Sequence, residues 1–264
     1  MTLTDPAAKS IALEMIDVTI TALESPNRIV LENVNWSVAT GDYWVIGGLH
    51  GSGKSDFVSL AASIMPAQRG IYRVFGQELR AGFEYEGLSA RRRVGLVFDG
   101  GRMLNHLTIA ENVALALRYH QNLTLAEASA PVEALLQLTE LTARATAFPG
   151  DVSRNWQQRA GLARALALKP EVLLLDNPLT GLDPRDAIWW LDCLDQIASG
   201  HPIVDGRPMT IVATADDLRP WKNRARQFAV LKNKKLIVLG NRSELAREET
   251  ASFQELLGIE PAKT

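Results

Sequence analysis

Apolar residues fall into two rhythms along this chain. Short runs rich in Val, Ile and Leu, at 13–20, 29–38, 43–47, 71–75, 94–98, 172–175, 210–214, 228–231 and 236–239, read as β-strands. Ser25, Pro26 and Asn27 read as the turn between the first two, and Gly41-Asp42 turns the chain into the third. Gly76 ends the strand at 71–75, and Asn233-Lys234 reads as the turn of a hairpin. The run 172–175 is wholly apolar and ends at Asp176, the pattern of a central parallel strand buried on both faces.

The second rhythm is helical. It places Phe57, Leu60, Ala61 and Ile64 on one stripe of a helix over 56–64, and Ile109, Val113 and Leu117 on another. Thr108 with Glu111, and Thr124 with Glu127, have the spacing of capping boxes. Pro131 begins or kinks a helix carrying Val132, Leu135 and Leu136, and Ser153 caps one that Pro170 stops near 168. Pro184 opens another, in which Trp189, Trp190 and Leu194 read as core, and a terminal helix or two follows from Ser243. The fold class is therefore α/β. With no repeat and no linker, the chain reads as one domain over 1–264, with a helical section at about 100–168.

Composition narrows the function classes. The 264 residues are 47% hydrophobic with a net charge of −2, an ordinary globular balance that offers no basic field to nucleic acid. Arg91-Arg92-Arg93 reads as a solvated face. One cysteine, Cys193, excludes an internal disulfide and suits a reducing compartment, and no residue set has zinc-site spacing. Glu14 and Asp17 interrupt the apolar stretch near the start, so no leader is expected there. No apolar run is long enough to span a bilayer, so a soluble protein is expected.

The chemistry lies between the strand at 43–47 and the helix after it. Gly48-Leu49-His50-Gly51-Ser52-Gly53-Lys54-Ser55 fits the phosphate-binding pattern G-x-x-x-x-G-K-[ST]. Its glycines allow backbone N–H groups to converge on a phosphate, and the new helix adds its positive end. Lys54 can reach the β- and γ-phosphates, and the Ser55 hydroxyl can hold Mg²⁺. A strand, a glycine loop and a helix in that order make a nucleotide site rather than a surface turn.

Further motifs resemble one family, the ATPase domain of ABC transporters, over nearly the whole chain. Val172-Leu173-Leu174-Leu175-Asp176 is similar to the family's second nucleotide motif, and Leu179-Thr180-Gly181-Leu182-Asp183-Pro184 to its D-loop. Gln157-Gln158-Arg159 with Leu162-Ala163-Arg164-Ala165-Leu166 resembles the tail of the signature helix. Residues 94–98, Leu104, Thr108, Glu111-Asn112-Val113-Ala114 and Leu117-Arg118 resemble importer-type members, in particular the bacterial lipid-asymmetry transporters that work with Mce proteins. The resemblance implies a mixed core sheet with an antiparallel β-subdomain and an inserted helical subdomain. It implies Mg-ATP bound by residues 48–55 with Asp176, and with Asp99, Ser153 and Asp183 contributing; the metal would fall to Ser55, Asp176 and Asp99. It also implies a second ATPase subunit, a membrane permease docked near 99–107, and a place on the cytoplasmic face of the inner membrane.

The departures from that family are as informative. Asn177 stands where the family has its catalytic glutamate, and an amide is no base at neutral pH. Ala215 replaces the switch histidine, and Asp99 a glutamine. Val152-Ser153-Arg154-Asn155-Trp156 stands for Leu-Ser-Gly-Gly-Gln, so that Ser153 keeps its hydroxyl while Trp156 adds bulk. Asp56 follows Ser55 where a hydroxyl residue is usual, and no aromatic lies between Ile11 and Trp36 to stack on adenine. Family dimers place each ATP between one chain's phosphate loop and the other's signature, so these changes touch both sites of a homodimer or a heterodimer. The expectation is an ATP-binding subunit with weak or absent turnover in the isolated chain. The alternative is a regulatory or structural ATP-binding protein with no permease.

Overall fold

The structure, a computed structural model, describes residues 10–79 and 87–245. Strands β1 (Ile11–Ala22), β2 (Ser25–Ala39), β4 (Arg69–Val74) and β5 (Gln77–Glu78) form an antiparallel sheet in the order β2-β1-β4-β5. A second sheet takes β3 (Tyr43–Gly47), β6 (Val94–Val97), β7 (Val172–Leu175), β8 (Thr210–Ala215), β9 (Gln227–Lys232) and β10 (Lys235–Asn241). Its order is β10-β9-β3-β8-β7-β6, parallel except for β10. The mixed core sheet and the antiparallel sheet are those the sequence led one to expect.

Strand periodicity feeds two cores. Val45, Leu173, Leu175, Ile211 and Ala213 point to one side of the large sheet, and Trp44, Ile46, Val172, Leu174 and Val212 to the other. On the first side lie α3 (Ile109–Gln121), α4 (Ser129–Leu138), α5 (Arg154–Leu166) and α6 (Pro184–Gly200). The second core closes against the antiparallel sheet and α1 (Lys54–Ala61), with α2 (Leu88–Arg91) adding Ala90. The short α7 (Arg242–Leu245) follows β10, and the rest of the expected terminal helix lies outside the described residues. All four residues of β7 are fully buried, as a central strand requires. No helix among the described residues is long and apolar enough to cross a membrane. Cys193 is free and buried on α6, where burial pushes its thiol up to about 12 and keeps it unreactive.

Several boundaries differ from expectation. The turn between β1 and β2 is Leu23-Glu24, while Ser25, Pro26 and Asn27 begin β2. Strand β2 is an edge, where the missing N–H of Pro26 interrupts no inner ladder. Helix α1 starts at Lys54 and ends at Ala61, so Ile64 lies beyond it, half-exposed. Thr108 and Glu111 form their capping box on α3. Thr124 and Glu127 make the same bonds on a turn, and α4 begins only at Ser129. Arg93 is not simply solvated: it grips Glu171 through two nitrogens, at 2.6 and 2.9 Å, and lies over the Phe75 ring. Asn233 and Lys234 both take positive φ in the β9–β10 turn, as a tight hairpin needs.

The loop after β6 packs directly against α5. Gly101 has φ 76°, and a Cβ there would run into the Gln157 carbonyl; a Cβ on Gly161 would stand 2.9 Å from the Gly101 Cα. Gly101→Ala is expected to cost about 1–3 kcal/mol, from strained φ and lost close approach together, read as a lower urea midpoint. Gly41→Ala, at φ 75° with open space around its Cβ position, is the control and should cost less.

Candidate functional site

Strand β3 ends at Gly47 in the middle of the large sheet, and the chain then loops over its carboxyl end into α1. That edge of a parallel sheet is where α/β folds bind ligands. The Gly48 N–H donates to the Ala215 carbonyl at 3.1 Å, tying the loop to β8. Gly53 sits at φ 95° at the head of α1, and a Cβ there would strike Val30; one on Gly48 would strike the Ser52 hydroxyl. Glycine is therefore favoured at Gly53 by conformation and by the Val30 methyl, while at Gly48 the neighbour is a hydroxyl that can rotate away.

The loop opens on a cavity of about 440 Å³ lined by His50, Gly51, Lys54, Ser55, Asp176 and Asp216, with Asp99 and Asn177 beside them. Gly48, Leu49 and Ser52 do not line it: Gly48 and Leu49 offer their carbonyls to Lys54, and the Ser52 hydroxyl is buried without a partner. Lys54 is 8% exposed, its ammonium donating at 2.6 Å to the Gly48 carbonyl and 2.9 Å to that of Leu49. Asp176, at the end of β7, is buried, and burial pushes its carboxyl above the ordinary range. Hydrogen bonds from Ser55 and Thr214 offset part of that rise. The Thr214 hydroxyl lies 3.2 Å from it.

These residues fit a magnesium–nucleotide complex. The glycine cradle a Cβ would fill, the head of α1 and Lys54 suit phosphate. Ser55 and Asp176, already in contact, are the hard oxygen donors magnesium takes. Asp99 lines the same cavity, but its carboxylate is bound by Arg154 of α5. Of the other expected residues, Ser153 and Asp183 do not line it. Ser153 sits exposed at the N-cap of α5, and its side chain makes no capping bond. Asp183 caps α6, accepting from the Asp186 N–H at 2.9 Å.

Three of the residues that depart from the family have partners in the fold. Trp156 does not stand out from the signature: its ring lies between the guanidinium groups of Arg144 (3.8 Å) and Arg159 (4.6 Å), packed against the core. Arg154 is not merely a substitute for glycine, because it bridges α5 to the loop after β6. Asp56 accepts from the Leu23 N–H at 2.8 Å and so holds the β1–β2 turn at the rim of the cavity. Ala215 is buried, offering only its backbone.

Sequence reasoning missed Asp216, which pairs with Lys54 at 2.8 Å. Its signal was its position: an acid just past a parallel strand beside β3, as Asp176 is one strand further out.

Residues 31–180 match the family model described as ABC transporter. The methionine import ATP-binding protein MetN of Lactobacillus delbrueckii subsp. bulgaricus is 30% identical over 236 residues, covering 88% of this chain and 65% of that protein. MetN of Haemophilus ducreyi is 32% identical over 227 residues, covering 86% and 64%. The chain thus spans slightly less than two thirds of these relatives. Among solved structures, the dimeric ATP-binding cassette MJ0796, in a post-hydrolysis state with ADP and Pi, superposes with a TM-score of 0.75. It is 25% identical, with 85% of this chain and 96% of that one covered. A phosphate loop, a buried strand-end aspartate and an importer-like sequence converge on one conclusion: the chain belongs to the ABC transporter family and carries its ATP-binding cassette.

Proposed function

We propose that the chain binds Mg-ATP as the nucleotide-binding subunit of an importer-type ABC transporter, with hydrolysis impaired. It would act in a dimer on a membrane permease at the cytoplasmic face. The observation that carries this reading is the convergence of Lys54, Ser55 and Asp176 on one cavity at the head of α1. Magnesium, held by Ser55 and Asp176, would draw charge from the β- and γ-phosphate oxygens. Arg154 pairs with Asp99 Oδ1, so Asp99 would join the magnesium through its other oxygen. Ser153, exposed at the head of a 13-residue helix with its hydroxyl uncommitted to a cap, has what a partner's phosphate needs. The dimeric state named for the MJ0796 cassette and the import role named for the MetN relatives support the dimer and the transport direction.

Calorimetric titration of the purified chain with Mg-ATP tests the reading. Lys54→Ala should weaken binding at least about ten-fold, because a charge-assisted contact to phosphate is lost. Equal affinity in that variant would place the nucleotide elsewhere and end the proposal.

A further inference from the structure

An ammonium has three protons to donate, and those of Lys54 all have acceptors: the Gly48 carbonyl, the Leu49 carbonyl and Asp216 Oδ1. The first two belong to the phosphate loop itself. The third is an anion, on the strand-end position just after Ala215. Its other oxygen, Oδ2, accepts from Asn177 Nδ2 at 2.6 Å and from the Thr180 hydroxyl at 3.1 Å. Asn177 and Thr180 both lie just past β7, so Asp216 is gripped from one side by neutral donors and from the other by the lysine. Partial burial pushes the Asp216 carboxyl up, but the bonds from Lys54, Asn177 and Thr180 outweigh it and hold it below its ordinary value. It is therefore an anion at neutral pH, at the wall of the cavity where phosphate oxygens would meet Lys54.

We propose that Asp216 is a positioning residue of this site: it occupies the Lys54 proton that a nucleotide phosphate must take, and Asn177 is the residue that holds it there. The inference rests on the ATP-binding reading above and deepens it. Phosphate and Asp216 compete for one donor and repel each other, so displacing the carboxylate subtracts from nucleotide affinity. Asn177 then has a function of its own. A glutamate in its place could not donate to Asp216, and its charge would oppose the carboxylate that Asn177 now holds.

The sign of one substitution tests this. Asp216→Asn keeps the size of the side chain and a carbonyl oxygen for Asn177, but carries no charge to hold Lys54. In calorimetric titrations of the full chain, it should bind Mg-ATP about three- to ten-fold more tightly than the parent, the worth of a partly exposed ion pair. Thr180→Ala, which removes one holder, should move affinity the same way by less. A merely structural Asp216 would give weaker binding and a lower melting temperature. Unchanged or weaker Mg-ATP binding in Asp216→Asn, where the parent binds and both melt alike, overturns this inference alone. Should Asp216→Asn fail to fold, the sign of the Thr180→Ala shift decides in its place. Absence of binding by the parent and by every variant overturns the ATP-binding reading and this inference together.

Discussion

Arg159→Ala is expected to lower the unfolding free energy by about 3 kcal/mol, the largest single stability loss foreseen outside the apolar core. Arg159 is 3% exposed on α5, and its guanidinium donates to Glu140 at 2.6 Å and Asp186 at 3.1 Å. The same plane stacks 3.5 Å from the Trp189 ring centroid, with Trp156 on another side. Removing one partner of a buried ion pair costs about 3–5 kcal/mol when the other is stranded. Glu140 is 58% exposed and can rehydrate, which sets the expectation at the low end. The lost cation–π contacts and the cavity between two indoles add to it. Arg159→Lys should recover only a minor part, since an ammonium cannot bridge two carboxylates in a plane while stacking on a ring. Guanidinium or urea melts read the effect. A loss under about 1 kcal/mol would mean the cluster is compensated by its neighbours. Arg159 lies on α5, the helix at whose head Ser153 stands.

What the sequence showed and what it hid divide along chain separation. Strands β3 and β7 and the β9–β10 hairpin were legible because one- and two-face burial writes a local period into the residues. The α3 cap was legible because Thr108 and Glu111 are three residues apart. The phosphate loop is a local pattern too, and Asp176 closes a local run. The β1–β2 turn was misplaced because Ser, Pro and Asn favour turns as types, while the edge position that tolerates Pro26 in β2 is a tertiary fact. The pairings that reshape the site join distant residues: Asp99 with Arg154, 55 positions apart, and Asn177 with Asp216, 39 apart. Read singly, Arg154, Trp156 and Asn177 are losses of family residues. In the fold each has a partner, and no residue type announces which one.

Phosphate release from Mg-ATP by the purified chain is expected to be at least about 100-fold slower than in a cassette with a carboxylate at position 177, the usual worth of a general base. Asn177 cannot take a proton from water, and its amide is spent on Asp216. Ala215, buried and without a polar side chain, contributes only its carbonyl to the Gly48 N–H. The carboxylate that remains, Asp216, faces Lys54 rather than open solvent alone. Asn177→Glu by itself should leave the rate low. Its carboxyl would replace the amide that now donates to Asp216, and two carboxylates placed side by side share a proton instead of each standing ready to accept one. The double variant Asn177→Glu with Asp216→Asn removes that conflict and should raise turnover by about ten-fold or more over either single change. Lys54→Ala sets the baseline for all four proteins. Turnover in the parent equal to that of the double variant would show that the missing glutamate costs nothing here. A full rescue by Asn177→Glu alone would show that Asp216 does not oppose it, and the two residues would then act independently.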